Sequence, residues 1–94
     1  MSGSAVDRER TLGWLRDMVR IDSVNPSLVS GARGEAEMAR YIAGVCRDMG
    51  LEVEVCGPSR ERPNVIAVLR GSRPSVANTL LLNGHLDTVG LGSM

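Results

Sequence analysis

Leu80-Leu81-Leu82-Asn83-Gly84-His85-Leu86-Asp87-Thr88-Val89 is the stretch on which the reading of this chain turns. A strand that is wet on one face alternates apolar and polar residues. Three successive leucines instead imply a third strand over Thr79 to Asn83, buried on both faces, as in a sheet covered by helices. The chain then runs into His-x-Asp. Along extended backbone, side chains at i and i+2 point the same way, so His85 and Asp87 face one spot just past the strand end. Ligands of open α/β sheets bind at the carboxyl ends of strands. His85 is the one histidine in the sequence.

A doubly buried strand needs neighbours, and the preceding sequence offers two. Leu51-Glu52-Val53-Glu54-Val55-Cys56 alternates strictly, which fits a strand with one wet face at or near a sheet edge. Asn64 to Arg70 reads as a second strand closed by Gly71. The connection from Gly57 is short enough for the two to pair antiparallel. Within it, Arg60-Glu61-Arg62 reads as a solvated charge run. Ser72 to Asn78, with Pro74, reads as a polar surface loop.

Upstream the apolar period changes to that of a helix. Arg8 to Arg20 places Leu12, Leu15 and Val19 on one stripe, joined by Trp14 and Met18, with Asp7 and Glu9 at the positive N-terminal end. Pro26 keeps Asn25 out of helical backbone and ends the segment. Glu35 to Met49 places Ala39, Ile42, Val45, Cys46 and Met49 on a second stripe, with Tyr41 as a half-buried flank. Gly50 stands where a left-handed C-cap glycine belongs. Glu35 and Glu37 read as charges of the helix N-terminus. The order helix, helix, strand, strand, strand fits an α/β fold with a mixed sheet and helices on its faces. Three strands do not finish such a sheet, so the sequence reads as the opening of a larger domain.

Composition narrows the classes of function. The chain has 94 residues, with eleven basic and eleven acidic side chains that cancel. No basic field exists for nucleic acid or an anionic membrane. No apolar run approaches the about 18 residues of a membrane span, and Met1 to Arg8 lacks the apolar core of a signal peptide. Cys46 and Cys56 form no C-x-x-C pair. With no secretion signal they read as reduced, buried thiols of a cytoplasmic protein. Trp14 and Tyr41 are the whole aromatic content, so the core must come from smaller aliphatic residues.

Neutral imidazole is a good zinc ligand, and its other ring nitrogen usually donates to a carboxylate that fixes the tautomer. On that chemistry His85 is a candidate metal ligand and Asp87 its orienting partner. Gly84 allows a sharp turn. The pattern is common, and a lone histidine after a strand is also found as an ordinary satisfied polar residue. A zinc site needs three or four protein ligands, and spacing alone brings no further ligand to His85.

Leu81-Leu82-Asn83-Gly84-His85-Leu86-Asp87-Thr88-Val89-Gly90 resembles the first metal-binding motif of a zinc-dependent family. That family includes acetylornithine deacetylase, succinyl-diaminopimelate desuccinylase, glutamate carboxypeptidase and the aminoacylases. Three further segments resemble it in order and spacing: Leu15 to Pro26, Gly34 to Ala43 and Arg62 to Gly71. The likeness runs from about Arg10 to the end of the sequence. It implies that His85 ligates one of two zinc ions, with cobalt as an alternative metal, and that Asp87 acts in the active site by holding that histidine. It implies a mixed-sheet catalytic domain interrupted by a lid, an N-acyl amino acid or small peptide as substrate, and a homodimer for the complete protein. In such enzymes a glutamate serves as general base while zinc activates water and polarises an amide carbonyl.

The resemblance places residues 1–94 in the N-terminal portion of that catalytic domain. The bridging aspartate, the general-base glutamates, the other zinc ligands and the lid lie further along in family members, and no residue here matches them. Gly90 stands where many relatives have proline. The expectation is an amidohydrolase fragment, inactive in isolation. The alternative is a non-catalytic remnant or small partner-binding domain whose open sheet edge pairs with another chain.

Overall fold

The structure is a computed structural model that describes residues 6–73 and 75–92. Residues 1–5, part of the segment read for a signal peptide, and Pro74 of the expected surface loop lie outside them. The described elements are α1 (Arg8–Arg20), α2 (Ala36–Asp48), β1 (Glu52–Cys56), β2 (Asn64–Val68) and a single 3-10 turn at Val76–Asn78. This is a small α/β arrangement: two helices and a two-stranded antiparallel sheet.

The centre of the molecule is α2 laid against the β1–β2 hairpin. The hairpin pairs Glu52 with Val68 through to Cys56 with Asn64. The face of α2 turned to it buries Met38, Ala39 and Ala43. Small alanine side chains at two of these positions let a helix approach its neighbours closely. The helix ends as expected. Gly50 has φ +88°, Gly50 N–H donates to Arg47 O at 2.9 Å, and Leu51 N–H to Cys46 O at 3.0 Å. These are the two bonds of a Schellman cap, which turn the chain straight into β1.

α1 forms over the expected residues. Asp7 accepts a hydrogen bond from Arg10 N–H at 3.1 Å and caps its first turn. Its apolar stripe, however, is not buried. Leu15 is 51% exposed and Val19 76%. α1 is tied to α2 by Tyr41 Oη, which donates to Asp17 Oδ2 at 2.8 Å.

Two further expectations are corrected here. No strand forms over residues 79–83, and Leu80, Leu81 and Leu82 are each more than 80% exposed. An apolar run has no hydrogen-bonding partner of its own, and a strand exists only where a neighbour receives its backbone groups. Among the described residues neither hairpin strand does so. Cys56 is also exposed, while Cys46 is half-buried and both are free.

The C-terminal stretch is nevertheless anchored. Val24 and Thr88 form a parallel bridge. Asn25 N–H donates to Thr88 O at 3.0 Å, and Thr88 N–H to Ser23 O at 3.0 Å. The same loop receives Gly34 N–H at Val24 O, while Glu35 N–H reaches Glu61 O in the hairpin turn, both at 3.1 Å. Four distant segments therefore meet at residues 23–25, 34–35, 61–62 and 87–88. Gly34 is what permits their approach. Its φ is +77°, and a Cβ there would stand 2.5 Å from Glu61 O.

Candidate metal-ligand site

His85 and Asp87, singled out from the sequence, meet in space. Nδ1 of His85 lies 3.0 Å from Asp87 Oδ1 and 2.9 Å from the Asp87 backbone oxygen. Both oxygens can only accept, so a neutral ring that makes these bonds carries its proton on Nδ1 and its lone pair on Nε2. The His85 side chain is 85% exposed. The imidazole thus offers Nε2 outward, as in a zinc-ligating histidine whose other nitrogen is held by a carboxylate.

Asp87 is held in turn by residues far away in sequence. Asn25 Nδ2 donates to Asp87 Oδ2 at 2.7 Å, and Arg62 Nη2 stands 3.7 Å from the same oxygen. The Asn25 hydrogen bond is the main cause that holds the Asp87 carboxyl below its ordinary range; partial burial opposes it and His85 adds to it. An ionised Asp87 is the state in which it can accept from His85. Asn25 is itself fixed, since its Oδ1 accepts from Ser27 N–H at 2.7 Å. Pro26 sets this turn: it keeps Asn25 out of the helix, and the asparagine side chain then bonds the backbone two residues on.

The hairpin supplies the third support. Arg62 is not a solvated member of a charge run. Its guanidinium spans three partners: Nε donates to Glu35 Oε1 at 3.1 Å, Nη1 to Ser27 Oγ at 3.3 Å, and Nη2 faces Asp87. Glu35, expected as a simple helix-end charge, occupies the N-cap position of α2 but makes no capping bond with its side chain. It is buried, and its Oε2 has no hydrogen-bond partner, as is also true of Ser23 Oγ. Glu37 stays at the surface, 3.8 Å from Arg33.

Asn25, Glu35 and Arg62 are what residue-by-residue reading of the chemistry missed. Their signal lay in the segments whose order and spacing carried the resemblance, since each falls within one of them. No periodicity within a segment could have joined them.

Among the described residues no group of three or more His, Cys, Asp or Glu could hold a metal ion. A shallow groove opens beside His85 and Asp87, lined also by Glu35, Ile42, Asn64 and Leu82. No helix of the described residues is long and apolar enough to cross a membrane.

No family model matches the chain, and no solved structure matches it. Among curated proteins, it is 31% identical over 81 residues to the N-formyl-4-amino-5-aminomethyl-2-methylpyrimidine deformylase of Halalkalibacterium halodurans. The match covers 86% of this chain and 18% of that protein. The chain therefore spans about a fifth of the length of the relative it matches.

Proposed function

Because this chain is a distant homologue of a metal-dependent amidohydrolase, in the deacylase family whose motifs it resembles, we propose that it forms the His85-bearing part of a dizinc hydrolase. The reaction is hydrolysis of an amide bond in an N-acyl amino acid or small peptide. The relative is named for a deformylation at nitrogen, which belongs to the same reaction class and adds N-formyl amines to the substrates worth testing. In this reading residues 1–94 are the N-terminal portion of a mixed-sheet catalytic domain.

One observation carries the proposal: the His85 imidazole is bound through Nδ1 to an ionised Asp87 and leaves Nε2 free. His85 is the metal ligand and Asp87 the residue that holds its tautomer. Zinc, when bound, supplies an electrophile for the amide carbonyl and lowers the pKa of water. The chain's own residues orient that ligand. Neither Glu35 nor Glu37 is placed as a general base: Glu35 is committed to Arg62, and Glu37 lies at the surface by Arg33.

The test is an assay of a zinc-loaded protein that carries this sequence within a full-length catalytic domain, against a panel of N-acyl amino acids and N-formyl amines. Hydrolysis of at least one class is expected. His85→Ala should abolish it, and Asp87→Ala should cost about 10–100-fold. Absence of hydrolysis across the panel, or full activity in Asp87→Ala, overturns the proposal. The 94-residue chain alone is expected to hydrolyse none of these substrates and to bind zinc weakly. A submicromolar, stoichiometric isotherm lost in His85→Ala would contradict that.

A further inference from the structure

An exposed imidazole has little packing to fix its ring, so His85 takes its orientation from Asp87. What fixes Asp87 is then the deeper question. Asn25 and Arg62 both address Oδ2, at 2.7 Å and 3.7 Å, which leaves Oδ1 for His85. Of these two supports, Asn25 is held by its own turn and by Thr88, whereas Arg62 is held from α2. Its Nε is bound to Glu35, whose side chain is only 12% exposed at the start of α2. A buried carboxylate with a single partner holds that partner tightly, because the unpaired state is costly.

Resting on the reading of His85 and Asp87 above, we propose that Arg62 is a positioning residue. Anchored on buried Glu35, its planar fork sets the carboxylate face that Asp87 turns to His85, and with it the Nδ1–H tautomer that frees Nε2. The fork matters as well as the charge. Three different nitrogens of Arg62 address Glu35, Ser27 and Asp87, and a lysine ammonium, a single point charge, cannot span all three.

The chain's single histidine makes the test direct. Long-range nitrogen-15 correlation spectra of the full 94-residue chain, recorded where the imidazole is neutral, report which ring nitrogen carries the proton. The wild type should show Nδ1–H as the major form. In Arg62→Gln the equilibrium should shift toward Nε2–H, and Arg62→Lys should shift it in the same direction despite keeping the charge. An unchanged ratio in Arg62→Gln overturns the proposal, and a wild-type ratio in Arg62→Lys overturns the role of the fork. Should Arg62→Gln lose its amide dispersion and fail to fold, Glu35→Gln keeps the arginine and loosens its anchor. It too should shift the equilibrium, and no shift there overturns the proposal. A wild-type chain that is already mainly Nε2–H would instead sink the His85–Asp87 pairing on which the proposed function rests. The two failures are therefore distinguishable, and neither depends on hydrolysis by a longer protein.

Discussion

The two helices have the same length, thirteen residues, and opposite fates. Both are capped and both carry an apolar stripe. α2 buries Met38, Ala39 and Ala43 against the hairpin, while α1 buries none of its residues. The cause is connectivity. The Schellman cap at Gly50 delivers α2 directly into β1, and the short turn beyond returns β2 beside it, so the partner of α2 is encoded within the next twenty residues. Among the described residues no comparably close segment covers α1. An amphipathic pattern specifies a face, not what will cover it. Leu80 to Leu82 repeat the lesson for a strand, since their composition demands burial and the described residues provide none.

The sharpest way to break this comparison is to place a charge on each helix. Ala43 is 1% exposed beneath the hairpin, so Ala43→Asp buries an unpaired carboxylate and should cost about 3–4 kcal/mol or abolish cooperative unfolding. Leu15→Asp on α1 should stay within about 0.5 kcal/mol in the isolated chain. Urea titrations followed by circular dichroism separate the two. Equal losses would mean that α1 is packed in solution after all.

The next test strikes the junction where the four segments meet. Gly34→Ala forces a side chain into left-handed backbone and against Glu61 O, which should cost about 1–3 kcal/mol. It should also disturb the His85 ring signals, because Glu35 and Arg62 are placed by the two sides of that contact. A variant with wild-type stability would show that residues 34 and 61 do not approach closely. A destabilised variant with unchanged His85 signals would show that the site does not depend on the junction.

This junction marks the boundary of what was legible in the sequence. Helix α1, α2 within one residue at each end, the two hairpin strands and their antiparallel pairing follow from local period and capping. The meeting of His85 and Asp87 follows from the two-residue spacing. The third strand does not, because a strand is a property of a pair of segments. Nor do Asn25, Glu35 and Arg62, whose convergence on Asp87 depends on contacts up to 62 residues apart. Each reads locally as something ordinary: a residue before proline, a helix-end charge, a loop arginine. Only tertiary placement gives them another role.

A smaller effect is expected at the α1 cap. Asp7→Ala removes the side-chain bond to Arg10 N–H and should cost α1 about 1 kcal/mol of helix stability. The loss should show as frayed amide exchange confined to α1, with α2 and the hairpin unaffected. Spread of the change into α2 would reveal coupling between the helices that the packing does not show.

The Tyr41–Asp17 hydrogen bond links the two helices, and pH reads it. Burial, the hydrogen bond to Asp17 and the charge of that carboxylate, in that order, raise the Tyr41 phenol above its ordinary range. A folded-state pKa raised above the unfolded value of about 10 favours the protonated phenol in the fold. That contribution is fully present below the unfolded pKa and is lost as pH rises through the folded one. Attachment of α1 to α2 should therefore weaken only on the alkaline side, and Tyr41→Phe should remove that pH dependence while leaving the α2–hairpin unit intact. Tyr41 is the single tyrosine, so tyrosinate absorbance measures its titration without interference. A midpoint at the value of the unfolded chain would mean that Tyr41 and Asp17 do not meet in solution, and that the polar contact joining α1 to α2 is absent there.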